Sequence, residues 1–223
     1  MKVTILRANP AGNITLFVLD PVAREKRTEI ASRLMELPQL QAEQVGFLCP
    51  PEEGCVGRME MAGGEFCGNA TRAFGMLMAK ENGGLSQVRV EVSGCDHPVT
   101  VDVDLNAGTS RSEMPLPLWV KTIEAGGATG KLVHLGGIAH LVVENVKPSQ
   151  DFFDQVEPVF ADIPGLDAYG VIFLEPDTGK MTPLVKVPAA NTLVWEGSCG
   201  SGSLACAVAQ SEGCFAPGRE FLL

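Results

Sequence analysis

The feature that most limits what this chain can fold into is an internal repeat. Gly12-Asn13-Ile14-Thr15-Leu16-Phe17-Val18 returns about 125 residues later as Gly137-Ile138-Ala139-His140-Leu141-Val142-Val143. Val45-Gly46-Phe47-Leu48-Cys49-Pro50 returns as Val171-Ile172-Phe173-Leu174-Glu175-Pro176. Both copies then reach Cys-Gly, as Cys67-Gly68-Asn69-Ala70 and Cys199-Gly200-Ser201-Gly202, and each pair opens an Ala-rich helical run, 70–80 and 203–210. A repeat this long is a duplicated domain, since solenoid periods are shorter. Two related lobes are expected, 1–124 carrying Cys67 and 125–223 carrying Cys199, joined near Ala125-Gly126-Gly127 and facing each other.

Local patterns fill in the copies. Lys2–Leu6 and Ile14–Leu19 read as strands of a hairpin across the Asn9–Asn13 turn. Ala23, Ile30, Leu34 and Leu37 have helical spacing over 21–37, stopped by Pro38, and 44–48 reads as the next strand. After Cys67 come a helix and two strand runs, 88–92 and 99–103. After Cys199 only 223 − 199 = 24 residues follow, enough for a helix, the Gly213–Gly218 segment and the start of one strand at 219–223. By the logic of the repeat the closing strands of the second lobe are missing, so that lobe reads as truncated.

Composition narrows the function. With 17 Lys+Arg against 27 Asp+Glu the formal charge is −10, and the basic residues are scattered among acids, which argues against a nucleic-acid surface. No run approaches the ~18 apolar residues of a membrane helix, and Lys2 and Arg7 come too early for a signal peptide, so a cytoplasmic protein without membrane partners is expected. Seven cysteines, none in C-x-x-C spacing, indicate neither a disulfide framework nor a zinc knuckle. His97, His134 and His140 lack ligand spacing and no lysine stands in a recognisable pyridoxal context, so neither a metal nor a cofactor is expected.

A cysteine at the mouth of a helix is chemically special, because the open N–H groups and the dipole favour a thiolate there. Gly68 and Gly200 let a ligand approach the backbone, and the same N–H groups suit a carboxylate. Two such thiols facing each other suit inversion of a carbon that bears hydrogen, one acting as base and one as acid. Negative charge then develops in the α-carboxylate, where the two helix N-termini would point.

The segments 63–72 (Gly-Gly-Glu-Phe-Cys-Gly-Asn-Ala-Thr-Arg) and 196–205 (Glu-Gly-Ser-Cys-Gly-Ser-Gly-Ser-Leu-Ala) resemble the two active-site segments of the diaminopimelate epimerase superfamily. Ala11-Gly12-Asn13 is similar to its asparagine turn, and Glu43-Gln44-Val45-Gly46-Phe47 to its glutamine-bearing strand. The resemblance spans residues 7–210 and implies an α/β (α+β) fold of two pseudo-symmetric lobes, each a barrel-like sheet around a central helix. It implies a pyridoxal-independent amino-acid racemase or epimerase with Cys67 and Cys199 as the acid/base pair. Gly68, Asn69, Gly200 and Ser201 become the carboxylate cradle, and Asn13 and Gln44 become substrate contacts. The partner is then a small amino acid, and a homodimer is allowed.

Departures refine this. Diaminopimelate epimerases carry Glu-Arg where this chain has Ala190-Asn191, and the approach Met61–Glu65 is shorter, so a second substrate carboxylate is poorly served. Asn191 becomes a candidate substrate contact, and the whole looks closer to histidine racemases of opine metallophore synthesis. The alternatives are a diaminopimelate epimerase, an isomerase of the phenazine-biosynthesis type, and a non-catalytic ligand-binding or thiol protein of the same fold. Cys206, inside the second helix, reads as core, and Cys49, Cys55, Cys95 and Cys214 as structural. Glu65 and Glu196 either tune the thiols or are solvated. His140, a lone histidine in an apolar strand, reads as a hydrogen-bonded core residue.

Overall fold

The computed structural model describes residues 2–52 and 54–211. Cys214 and the segment 213–223 lie outside the described residues. The chain divides into two compact units, Met1–Glu113 and Met114–Leu223.

In the first unit, β1 (Ile5–Ala8) and β2 (Thr15–Val18) form the hairpin, with Ile5 opposite Val18. Helix α1 (Arg24–Met35) crosses over to β3 (Gln44–Cys49), which runs parallel to β2. The sheet continues through β4 (Gly57–Met61), then helix α2 (Gly68–Glu81), β5 (Gln87–Val92), β6 (Val99–Asp104) and β7 (Thr109–Ser112), giving seven strands in sequence order. Helix α1 turns Ala31 and Leu34 onto Leu16, Val18, Val45 and Phe47. On the opposite face Phe17 meets Phe74 of α2 at 6.0 Å between ring centroids. Covered on both faces, β2 is apolar and buried along its whole length. Helix α2 also packs against β5, β6 and β7, so the sheet curls around it. A Cβ on Gly75 would stand 2.6 Å from Val101, which explains glycine at that closest approach.

In the second unit, β8 (Trp119–Ala125) and β9 (Ala128–His134) are a hairpin, followed by β10 (Ile138–Glu144). Helix α3 (Gln150–Val156), capped by Ser149 Oγ, leads through a 3-10 turn at Glu157–Phe160 to β11 (Ala168–Glu175), parallel to β10. Then come β12 (Lys180–Val187), β13 (Thr192–Trp195) and helix α4 (Gly200–Gln210). The six strands follow the order β13-β12-β11-β10-β9-β8. Helix α3 buries Phe152, Phe153 and Val156 on one face of this sheet, and α4 buries Ala205, Cys206 and Val208 on the other.

The repeat shows in the register. Leu16 is opposite Val45 in the first sheet and Leu141 opposite Val171 in the second, the same parallel pair at equivalent positions. Two expectations need correction. Gly126 and Gly127 form no linker: both have positive φ, 58° and 77°, and close the two-residue turn of the β8–β9 hairpin, so the units divide between Glu113 and Met114. The first strand begins at Ile5 rather than Lys2, its extent set by the residues that find partners on β2. The strands expected to be lacking from the second lobe would follow α4, where the described residues end.

Candidate active site

Each unit builds the mouth of its helix in the same way. Cys67 is the N-cap of α2, extended at φ −129°, and its Sγ accepts the Ala70 N–H at 3.4 Å. Cys199 is the N-cap of α4, extended at φ −136°, and its Sγ accepts the Gly202 N–H at 3.3 Å. Four residues further on, a hydroxyl back-bonds the cysteine carbonyl: Thr71 Oγ1 at 2.8 Å in the first unit, Ser203 Oγ at 2.9 Å in the second. Sulfur here does what a serine or asparagine oxygen does at an ordinary N-cap.

Around these caps the two units differ. Asn69 is buried, and its Nδ2 donates to Asn13 Oδ1 at 3.3 Å. Asn13, with no exposed surface, also accepts Gln44 Nε2 at 2.5 Å and donates Nδ2 to Glu43 at 2.6 Å. Gln44 further donates to Thr15 Oγ1 at 2.8 Å, and Arg72 donates to Asn69 Oδ1. Asn13, Gln44 and Asn69 are therefore brought together, with Asn13 as the buried hub and Gln44 half-buried. In the second unit the buried Ser201 Oγ lies 3.4 Å from Cys199 Sγ and 2.8 Å from His140 Nε2.

The electrostatics of Cys199 reverse the expectation of a thiolate favoured by the helix. Burial pushes this thiol well above its usual range, and the Glu196 carboxylate, as a nearby charge and as a hydrogen-bond acceptor, pushes it further. Ser201 and the Gly202 N–H pull the other way and do not prevail. Cys199 thus stands as S–H at neutral pH. Burial likewise holds Cys95 up at about 11 and Cys206 at about 12, and Cys206 has no exposed surface. Burial drives His140 down to about 3, so its imidazole is neutral.

The remaining candidates fall as follows. Gly68 and Gly200 are the first residues of their helices. Asn191 follows the 3-10 turn Pro188–Ala190 with φ 53°, an exposed left-handed position that asparagine tolerates better than most residues. Of the two roles open to Glu196, acting on the thiol is the one the structure shows, and His140 is the hydrogen-bonded core residue expected of it. Glu43, beside Gln44, joins the site unforeseen through Asn13, and the repeat sets His140 in the place of Thr15. Among the described residues no cluster of three or more His, Cys, Asp or Glu could hold a metal ion, and no helix is long and apolar enough to cross a membrane.

Two cysteine-capped helices in duplicated units invite comparison with known racemases. The family described as the histidine racemase CntK N-terminal domain matches residues 2–214. The chain belongs to the histidine racemase family. A histidine racemase of Fusobacterium nucleatum is 31% identical over 212 residues, covering 90% of this chain and 77% of that one. One from Staphylococcus aureus is 28% identical over 211 residues, covering 90% and 77%. A solved structure of a predicted epimerase from Pseudomonas aeruginosa superposes with TM-score 0.54 at 10% identity, over 91% of this chain and 78% of that one, and shows a shared fold. The protein is an isomerase of the racemase class, with the mixed α/β fold of that predicted epimerase.

Proposed function

We propose that this racemase inverts histidine without a cofactor, Cys67 and Cys199 serving as the acid/base pair. The observation that carries the reading is the matched capping of α2 and α4 by a thiol, with the same sulfur and carbonyl contacts in both units. Histidine as substrate is supported by the relatives of that name in two bacterial genera.

Cys199, held as S–H by burial and Glu196, is the acid of the resting pair, which leaves Cys67 as the base. The Cys67 thiolate takes the α-proton and becomes S–H. The electron pair of the broken C–H bond moves into the α-carboxylate, cradled by amides of Gly68, Asn69, Gly200 and Ser201 at the two helix mouths. Cys199 then gives its proton to the opposite face of the α-carbon and becomes the thiolate. The substrate of opposite hand meets the pair with roles exchanged, and solvent exchange resets it. Gln44, half-buried and held by Asn13, is the member of the first-unit network that meets substrate. Thiols that must stay reduced suit the cytoplasm, and the six cysteines among the described residues are all free.

The test is deuterium uptake. Reduced protein in deuterated buffer, offered L-histidine, D-histidine, diaminopimelate and a panel of other amino acids, should place deuterium at Cα of histidine and yield both enantiomers. Folded, reduced protein that exchanges only diaminopimelate, or none of the panel, would overturn the reading.

A further inference from the structure

His140 has no part in the scheme above. It lies on β10 with no exposed surface, its Nε2 is 2.8 Å from Ser201 Oγ, and that oxygen is 3.4 Å from Cys199 Sγ. Its Nδ1 is buried and has no hydrogen-bond partner among the described residues. An orphaned buried N–H is rarer and costlier than an orphaned lone pair, so the ring proton belongs on Nε2. Nε2–H then donates to Ser201 Oγ, and the hydroxyl proton is left to point at sulfur. This bridge joins residues 61 apart in sequence.

The bridge matters because of what else surrounds the sulfur. Among the described residues the charged group acting on Cys199 is Glu196, an anion, and the imidazole of His140 is neutral. None of the described groups acting on this sulfur is a cation that would hold a thiolate once the proton has left. The stabilising groups are neutral donors, the Gly202 N–H at 3.3 Å and the Ser201 hydroxyl. A hydroxyl can accept from sulfur as readily as donate to it, and only a donor on its other side decides which. We propose that His140 is a positioning residue: by donating Nε2–H to Ser201 Oγ it fixes the Ser201 hydroxyl as a donor to Cys199 Sγ and lets that sulfur carry the charge it acquires on giving up its proton. The inference rests on Cys199 as one of the two acid/base thiols.

The test reads the thiol itself rather than turnover. Below the pKa of a thiol its alkylation rate follows the thiolate fraction, so the rate at which iodoacetamide labels Cys199 at pH 8, followed on its peptide by mass spectrometry, reports thiolate stability. A hydrogen bond to a charged group is worth roughly tenfold or more in this rate. Ser201→Ala should slow labelling about tenfold. His140→Leu should slow it by roughly threefold to tenfold, and the double variant should be no slower than Ser201→Ala alone, because both remove one bridge. His140→Gln, whose amide can donate in place of Nε2–H, should stay within about twofold of the parent.

Effects that multiply in the double variant, or a His140→Gln protein as slow as His140→Leu, would overturn the proposal. Should His140→Leu fail to fold, nitrogen NMR of the parent decides, with His140 assigned by its loss in His140→Gln. The ring should be neutral and protonated at Nε2 from pH 5 to pH 9 on the scale of ordinary imidazoles; a proton on Nδ1 sinks the idea. Undiminished racemisation by Cys199→Ser would instead remove the acid/base reading while leaving the labelling results standing.

Discussion

At the mouth of α2 the residue after the glycine is Asn69, which reaches Asn13 ahead of β2; at the mouth of α4 it is Ser201, which reaches His140 on β10. The repeat places His140 where the first unit has Thr15, and Thr15 accepts from Gln44. Both units thus tie the start of the helix to the segment the repeat matches, just ahead of β2 in one and on β10 in the other, one with amides and one with a hydroxyl and an imidazole. The caps themselves match atom for atom. Duplication kept what holds a thiol at a helix mouth, and divergence altered the groups that decide how that thiol ionises. In the second unit burial and the Glu196 carboxylate keep Cys199 protonated, against the pull of the Ser201 hydroxyl that His140 meets.

The sharpest way to break the comparison is to remove each thiol. Cys67→Ser and Cys199→Ser should each cut histidine racemisation by about 10³-fold, within the usual span of general acid–base catalysis. Equal losses measured by deuterium uptake would make the thiols true counterparts; a loss confined to one would make the other a structural cap.

Acid should tell the units apart next. His140 is held at about 3 against an ordinary 6.5, so the unfolded chain binds this proton first as pH falls. Its contribution is unaffected above pH 6.5, begins to erode stability below it, and levels off near pH 3. The loss should reach roughly 3 kcal/mol between pH 7 and pH 4. Urea unfolding at both values should show this for the parent and not for His140→Gln, and Thr15, its counterpart, has nothing to titrate.

Packing at the third helical position gives a smaller contrast. A Cβ on Gly202 would meet Ile172 Cδ1 at 2.8 Å and Cys199 Sγ at 3.2 Å. Gly202→Ala should therefore cost about 1–3 kcal/mol of stability and displace the thiol, lowering activity further than stability alone explains. Ala70→Gly, at the same place in α2, should cost about 1 kcal/mol or less, with little change in turnover. Thermal unfolding paired with initial rates separates the two. The smallest effect should be the most symmetric: Thr71→Val and Ser203→Ala each remove one back-bond to a cysteine carbonyl and should cost about 1 kcal/mol or less, equally in the two units.

Much of this protein could be read without coordinates because the signals are local. Apolar spacing marked α1, the Cys-Gly pairs marked the starts of α2 and α4, and the repeat announced two related units whose parallel strands share one register. Cap preferences and periodicity act over a few residues, and a run of sequence carries them whole. The short β7 and the pairing of β8 with β9 were not legible, and the glycines taken as a joint are a hairpin turn, because strands are defined by partners rather than by their own residues. Nor could sequence say that the helix would fail to ionise Cys199. That depends on how much water the fold removes from the sulfur and on Glu196 turning toward it, which together outweigh the Ser201 hydroxyl. Desolvation and long-range hydrogen bonds exist only once the chain has closed on itself, so the sequence determined which thiols stand at helix mouths and the tertiary structure decided that Cys199 keeps its proton.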